Sequence, residues 1–302
     1  MEQFMAITKR NFKIYFRDKG TIFFSVLSML VVIGLMVFFL GDMNVESITR
    51  ILGEFPGRDA GVDEKNAELL VLSWTFAGII SINAVTVTLA AYSVMIKDRE
   101  SGKLNSIYTS PISRTVITAG YVAAAWLASV MVCVLTLIVT ELYGVLKGLE
   151  IFSFATHLQL LGMIMINSFV YAAFMYLLAM LAKTEGAWNG LGTVIGTLVG
   201  FLGGIYIPIG ALSELIGNMM KCTPILYGTA MFRSVMTQEI VETTFQGIPE
   251  EVVSEYCAMM GITLQVFGKE IGITEEWLLL FCGILFLIIG VCMLKYSRKS
   301  DR

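Results

Sequence analysis

Charged side chains are scarce in this sequence. Only 15% of its 302 residues are Asp, Glu, Lys or Arg, against about a quarter in soluble globular domains. Apolar residues fill the deficit: they make up 56% of the chain and give it a mean hydropathy of +0.77. This composition predicts an integral membrane protein.

Catalytic and metal-binding patterns are also missing. One histidine and five cysteines without a C-x-x-C pair do not form any usual zinc or redox motif. Neither G-x-S-x-G nor H-E-x-x-H occurs, and Gly102-Lys103 lacks the other residues of a nucleotide-binding P-loop. We therefore expect no catalytic residue, no metal ion, no cofactor bound by this chain and no nucleic-acid partner.

Six apolar stretches are each close to the roughly 20 residues that cross a bilayer. They lie at 21–40, 72–96, 115–142, 158–182, 189–209 and 277–295. We predict an all-α integral membrane protein in which residues 1–302 form one domain with six transmembrane helices. The centres of the stretches contain no Asp, Glu, Lys or Arg, which argues against proton or sodium coupling.

The distribution of basic residues predicts the topology. Two thirds of the 21 Lys and Arg residues fall in the segments on the side of both termini, while the opposite side has longer loops. The positive-inside rule then places both termini in the cytoplasm of a multi-pass protein of the cell membrane.

Residues 1–20 predict an amphipathic helix that lies in the membrane interface. At about 100° per residue, seven apolar side chains share one broad face and four basic ones cluster opposite. The apolar residues are Phe4, Met5, Ile7, Phe12, Ile14, Tyr15 and Phe16, and the basic ones are Lys9, Arg10, Lys13 and Arg17.

The segment 210–276 is the largest region predicted outside the bilayer. Its first part is too broken by glycine and proline for a seventh span and too apolar for a solvated loop, so we predict short re-entrant helices there. Residues 249–260 predict a small extracytoplasmic helix. The role of the acidic stretch 238–276 stays open, as does a disulfide between Cys222 and Cys257, which we consider less favoured than two free thiols.

The most informative stretch joins the second and third spans, at 97–114. It is charged at its beginning and then carries Leu104, Ile107 and Tyr108 at i, i+3 and i+4, the spacing of an apolar helical stripe. In this topology the stretch faces the cytoplasm.

Two further features accompany this stretch. The fifth span contains Gly192, Gly196, Gly200 and Gly204 at intervals of four, a pattern that lets another helix approach closely. The alternatives are a subunit interface or gate, and ordinary packing within the chain. Asn83 and Thr86 form a polar cluster in the second span. The sequence leaves two uses open for this cluster: lining a substrate path and forming interhelical hydrogen bonds.

Taken together, three features mark a known family. They are the basic amphipathic helix, the motif Arg99-Glu100-x-Gly102 followed by Ser110-Pro111-Ile112-Ser113, and the glycine-rich fifth span that leads into Thr223-Pro224. With them the chain resembles, over nearly its whole length, the membrane subunits of ABC-2 type ABC transporters.

The resemblance implies a role for the segment 97–114. In the family this segment is a coupling helix that seats in a cleft of a separate ATPase subunit. The resemblance would make Leu104, Ile107 and Tyr108 the apolar stripe that contacts the ATPase. Arg99 and Glu100 would be polar partners beside it, and Gly102 would permit close approach. Ser110 would cap the third span, with Pro111 in its first turn.

The resemblance also implies an assembly. The chain would be the permease subunit of an exporter, paired with itself or a similar permease, surrounded by membrane lipid and driven by two ATPase subunits that bind ATP and Mg²⁺. The substrate path would lie between the permeases, near Asn83, Thr86 and the glycines. An ATP-independent channel or carrier is the first alternative, and a membrane-embedded lipid-modifying enzyme the second.

Overall fold

The computed structural model describes residues 1–35, 41–266, 269–271 and 274–300. Thirteen α-helices are defined there. They are α1 (Glu2–Arg17), α2 (Lys19–Leu35), α3 (Gly41–Gly53), α4 (Ala60–Glu100), α5 (Lys103–Tyr108), α6 (Arg114–Lys147), α7 (Phe154–Leu181), α8 (Glu185–Leu202), α9 (Glu214–Lys221), α10 (Pro224–Met236), α11 (Gln238–Thr244), α12 (Glu250–Met260) and α13 (Thr274–Ser300).

The fold is helical apart from one small hairpin in the described part of the chain. Strand β1 (Leu264–Val266) pairs antiparallel with β2 (Lys269–Ile271), with Gln265 opposite Glu270. The end of the predicted first span, 36–40, lies outside the described residues.

Among the described residues, three helices are long and apolar enough to cross a membrane: α4, α6 and α7. A shorter apolar stretch, Leu278–Cys292, lies within α13. These helices agree with the predicted helical membrane fold, while the count of six spans stays a prediction.

Helix α4 is the centre of the bundle. It packs against α6, α7, α8 and α10, and its buried residues lie on every side rather than along one stripe. A helix with small and apolar residues all round is buried all round, which explains why α4 is the most enclosed of the three spans. Helix α13 packs along α7, and α1 packs along α6.

The end of the bundle away from α1 contains more helix than the sequence predicts. Helix α4 begins twelve residues before the predicted span, where Asp59 accepts hydrogen bonds from the amides of Gly61 and Val62 at 2.9 and 3.2 Å. This N-cap satisfies two free amides of the first turn. Helix α3 then packs on the extended part of α4.

The predicted fifth span, 189–209, is wrong at its end, because α8 ends at Leu202. Gly204 has a φ of +62°, a left-handed conformation that glycine adopts without steric cost. The amide of Ile205 donates to the carbonyl of Gly200 at 2.9 Å, which closes the helix. Gly204 therefore lies in the turn after α8 and does not share a helical face with the other three glycines of the predicted stripe.

Residues 214–260 fold into the short helices α9 to α12, while their re-entrant and extracytoplasmic placement stays a prediction. Helix α10 packs against the middle of two spans: Thr229 donates to Ser81 of α4 at 3.0 Å, and Tyr171 of α7 donates to the carbonyl of Pro224 at 3.3 Å. No disulfide joins Cys222 to Cys257 in the structure, where Cys222 is exposed and Cys257 is buried.

Candidate functional site

The predicted coupling segment forms a separate short helix, α5, at one end of the bundle. Gly102 precedes it with a φ of +72°, and nothing lies within 4 Å of the position that a Cβ would take there. Glycine is thus needed at this position because the backbone is left-handed there. Close approach of another group, the reason expected from the sequence, does not apply within this chain.

The apolar stripe of α5 faces its own bundle. Leu104 is only 4% exposed and belongs to the core, and Ile107 and Tyr108 pack against that core. The guanidinium of Arg114 lies 4.8 Å from the centre of the Tyr108 ring. Burial raises the pKa of the Tyr108 phenol. The stripe therefore anchors α5 to the chain itself.

The opposite face of α5 is open to solvent. Its exposed residues are Lys103, Asn105, Ser106 and Thr109. This polar face is the part of the segment that a second protein can reach without displacing α5.

Arg99 and Glu100 join the end of α4 to the link between α7 and α8. The guanidinium of Arg99 donates to the carbonyl of Ala179 at 2.8 Å and to that of Ala182. The carboxylate of Glu100 accepts from the amide of Glu185 at 2.7 Å. A cation thus meets the carbonyl end of α7 and an anion meets the amide end of α8, the arrangement that each helix dipole favours.

The predicted cap of the third span, Ser110 with Pro111 in the first turn, is wrong by three residues. Helix α6 begins at Arg114, and its N-cap is Ser113, whose hydroxyl accepts from the amide of Val116 at 3.3 Å. Ser110 instead donates to the carbonyl of Ile107 at 2.5 Å and so closes the end of α5. Pro111 is exposed in the link, where its missing amide costs no helical hydrogen bond.

The glycines of α8 do not share one environment. A Cβ on Gly192 would lie 3.2 Å from Leu89 of α4, and one on Gly200 would overlap the ring of Tyr206. Gly196 is exposed and has nothing within 4 Å of its Cβ position. Gly192 therefore faces α4, Gly196 is open, and Gly200 is covered by Tyr206 of the following turn, so these glycines do not form one continuous contact stripe.

The polar residues of the second span are occupied within the bundle. Asn83 is buried and donates to the hydroxyl of Thr136 in α6 at 2.9 Å. Thr86 donates to the carbonyl of Ile82 in its own helix at 3.2 Å. In this arrangement Asn83 makes an interhelical hydrogen bond, one of the two uses left open by the sequence.

Sequence reasoning missed an ion pair that holds α1. Arg10 donates two hydrogen bonds to Asp98 of α4, at 2.6 and 2.8 Å. Tyr121 of α6 donates to the same carboxylate at 2.6 Å. These bonds to Asp98 raise the pKa of Arg10. Arg10 thus lies toward the bundle rather than with the exposed basic residues, and no local pattern links it to a partner 88 positions away.

A second missed feature is the buried guanidinium of Arg233 in α10. It lies 3.9 Å from the centre of the Trp74 ring, and donates to the carbonyls of Gly204 at 2.9 Å and Met260 at 3.2 Å. Trp74 donates to that same Met260 carbonyl at 2.9 Å. Within the described residues no carboxylate pairs with Arg233, which joins the ends of α8 and α12 to α4 and α10.

Comparison with known proteins gives a family match over most of the chain. A family model described as ABC-2 type transporter matches residues 2–237. No curated protein matches the chain. The matched range includes α1 to α10, and therefore the coupling segment, the three long spans and Arg233.

Proposed function

The chain belongs to the ABC-2 type transporter family, and from this premise we propose that it is the permease of an exporter driven by a separate ATPase. Membership makes it a membrane component of an ABC transporter and not the catalytic one. The proposal adds the direction of transport, the docking surface and the cell membrane, with both termini in the cytoplasm.

The observation that carries the proposal is the way in which α5 is attached to the rest of the bundle. Its apolar side is anchored by Leu104, its polar side is free, and Arg99 and Glu100 connect its base to the ends of α7 and α8. A force applied to the polar side passes through these bonds to two other helices. A helix attached in this way is suited to receive motion from another subunit.

The ATPase therefore docks on the exposed face of α5 that contains Lys103, Asn105, Ser106 and Thr109. Leu104, Ile107 and Tyr108 hold that face in position, with Pro111 in the following link. Two ATPase subunits supply ATP and Mg²⁺, and the switch between inward and outward access follows their cycle.

A second permease, identical or similar, packs against the exposed side of α8. Gly190, Thr193, Gly196 and Thr197 are all exposed there, and small residues let membrane helices approach closely. The substrate path runs along the seam between the two permeases. Asn83 and Thr86 can border it only after the bundle rearranges, because Asn83 is buried.

The proposal is tested by purifying the tagged chain from native membranes. We expect an ATPase with Walker motifs to co-purify in stoichiometric amount and to hydrolyse ATP in the complex. Ser106→Trp places a bulky ring on the open face of α5 and should abolish co-purification. Ser254→Trp, on the exposed face of α12, is the matched control and should retain the ATPase.

Three results would overturn the proposal. Retention of the ATPase by Ser106→Trp at the yield of the control would exclude docking on this face. Gradient-driven solute movement through the chain alone, with no ATPase in the purified material, would favour the channel or carrier. Lipid turnover by the isolated chain would favour the membrane-embedded enzyme.

A further inference from the structure

Helix α1 has three distinct sides, which the fold uses to different extents. Ile7, Thr8, Asn11 and Tyr15 are buried against the bundle, and Arg10, at the edge of this side, forms an ion pair with Asp98. A second side, which includes Phe12 and Phe16, packs partly against the core and is partly open. The third side faces away from the protein.

The contacts of α1 determine its depth. Asp98 lies two residues before the end of α4, and a Cβ on Gly120 of α6 would be 2.5 Å from Ile7. Gly120 is about 9 Å along α6 from Arg114, at 1.5 Å per residue. Helix α1 thus lies level with the last turns of the spans, whereas α5 follows the end of α4.

One free side of α1 is basic. Lys9, Lys13 and Arg17 are spaced by four residues and are exposed, so they form a single ridge, which we call the basic ridge. Among the described residues, none of the three has a carboxylate within ion-pair distance, although Arg10 and Lys97 nearby are both paired.

The remaining side is apolar and adjoins the ridge. Met5 is 58% exposed, and Phe12 and Phe16 are half-buried, with ring centres 4.6 Å apart. At 100° per residue these three side chains lie within about 40° of one another and next to Lys9. An apolar edge beside a cationic ridge matches the boundary between acyl chains and headgroups.

We propose that the basic ridge of α1 binds the headgroups of anionic phospholipids in the adjacent leaflet, with Met5, Phe12 and Phe16 entering the acyl region. Charge complementarity and depth both support this occupant. Three unpaired cations at headgroup level attract a negatively charged lipid surface, while a neutral zwitterionic lipid offers no net attraction. The proposal depends on the membrane location and not on the direction of transport.

The test titrates lipid onto the full chain, together with the subunits that co-purify, in a non-ionic detergent. Native mass spectrometry counts bound short-chain phosphatidylglycerol and, separately, phosphatidylcholine. The triple variant Lys9→Gln, Lys13→Gln, Arg17→Gln should weaken phosphatidylglycerol binding at its tightest site on the order of 100-fold and leave phosphatidylcholine unchanged. Added salt should weaken the wild-type interaction as well.

The matched control removes the same charge from the other end of the bundle. Arg50→Gln, Lys65→Gln, Lys147→Gln changes three exposed cations there and should keep phosphatidylglycerol affinity within about twofold of wild type. Equal loss in both variants, or no loss in the α1 variant, would overturn the proposal. So would loss of a bound ATPase from the α1 variant with lipid selectivity intact, since the ridge would then be a protein contact.

Discussion

The carboxylate of Glu100 accepts a 2.7 Å hydrogen bond from the backbone amide of Glu185, 85 positions later in the chain. Two residues that would repel as side chains are joined because one contributes its backbone. The bond lies at the N-terminus of α8, where a negative charge is stabilised by the helix dipole. With Arg99 on the carbonyl end of α7, it links the coupling segment to the helix that we assign to the permease interface.

Removing the Glu100 carboxylate should loosen the start of α8. In Glu100→Ala the amide of Glu185 loses its acceptor, and we expect its hydrogen exchange to become about fivefold faster, in line with about 1 kcal/mol for a charge at a helix N-terminus. Glu100→Gln keeps an oxygen and should give a smaller change. The control Glu250→Ala, on α12, should leave this amide unaffected, and an equal acceleration there would contradict the assignment.

Shortening Leu104 should free α5 from the bundle. Leu104 is almost fully buried, so Leu104→Ala should cost about 2–5 kcal/mol of local packing. Trypsin cleavage after Lys103, an exposed site in the first turn of α5, should then become faster. Asn105→Ala changes an exposed neighbour and should be cleaved at the wild-type rate. Equal rates in both variants would show that Leu104 does not hold the helix.

Two glycines of α8 should give opposite results. Among the described residues nothing lies within 4 Å of the Cβ position of Gly196, so the Gly196→Leu monomer should keep its melting temperature while the pairing of two permeases weakens. Gly200→Ala meets the Tyr206 ring and should lower stability by about 1–3 kcal/mol through overpacking. Thermal unfolding and crosslinking in nanodiscs separate the two effects. A destabilised Gly196→Leu monomer would show that this face packs within the chain.

Replacing Arg233 should destabilise the end of the bundle away from α1. Arg233→Ala leaves the Gly204 carbonyl without its donor and opens a cavity beside Trp74, which together should cost about 3–5 kcal/mol. Arg233→Lys keeps a cation but loses the planar stack and the forked donors, so we expect only partial recovery. Thermal unfolding of the purified variants measures both effects, and an unchanged midpoint for Arg233→Ala would contradict the role assigned to this side chain.

The sequence by itself determined the class of this protein and the location of its principal segments. Long apolar runs with few charges predict membrane helices because the bilayer requires them, and three of the predicted spans, in α4, α6 and α7, are long apolar helices in the structure. The motif from Arg99 to Ser113 identified the family, and the family comparison confirmed it. Local signals also located α1, α5 and α12.

Only the tertiary structure decided which faces these helices use. In a membrane protein, lipid and protein interior are both apolar, so hydrophobic spacing does not tell whether Leu104 faces a partner or its own core. The same ambiguity hid the different environments of the α8 glycines and the end of that helix before Gly204. Ion pairs such as Arg10 with Asp98 join residues that are distant in sequence, and neither charge alone identifies its partner. Tertiary packing determines these contacts, because they depend on how the other helices are arranged around α4.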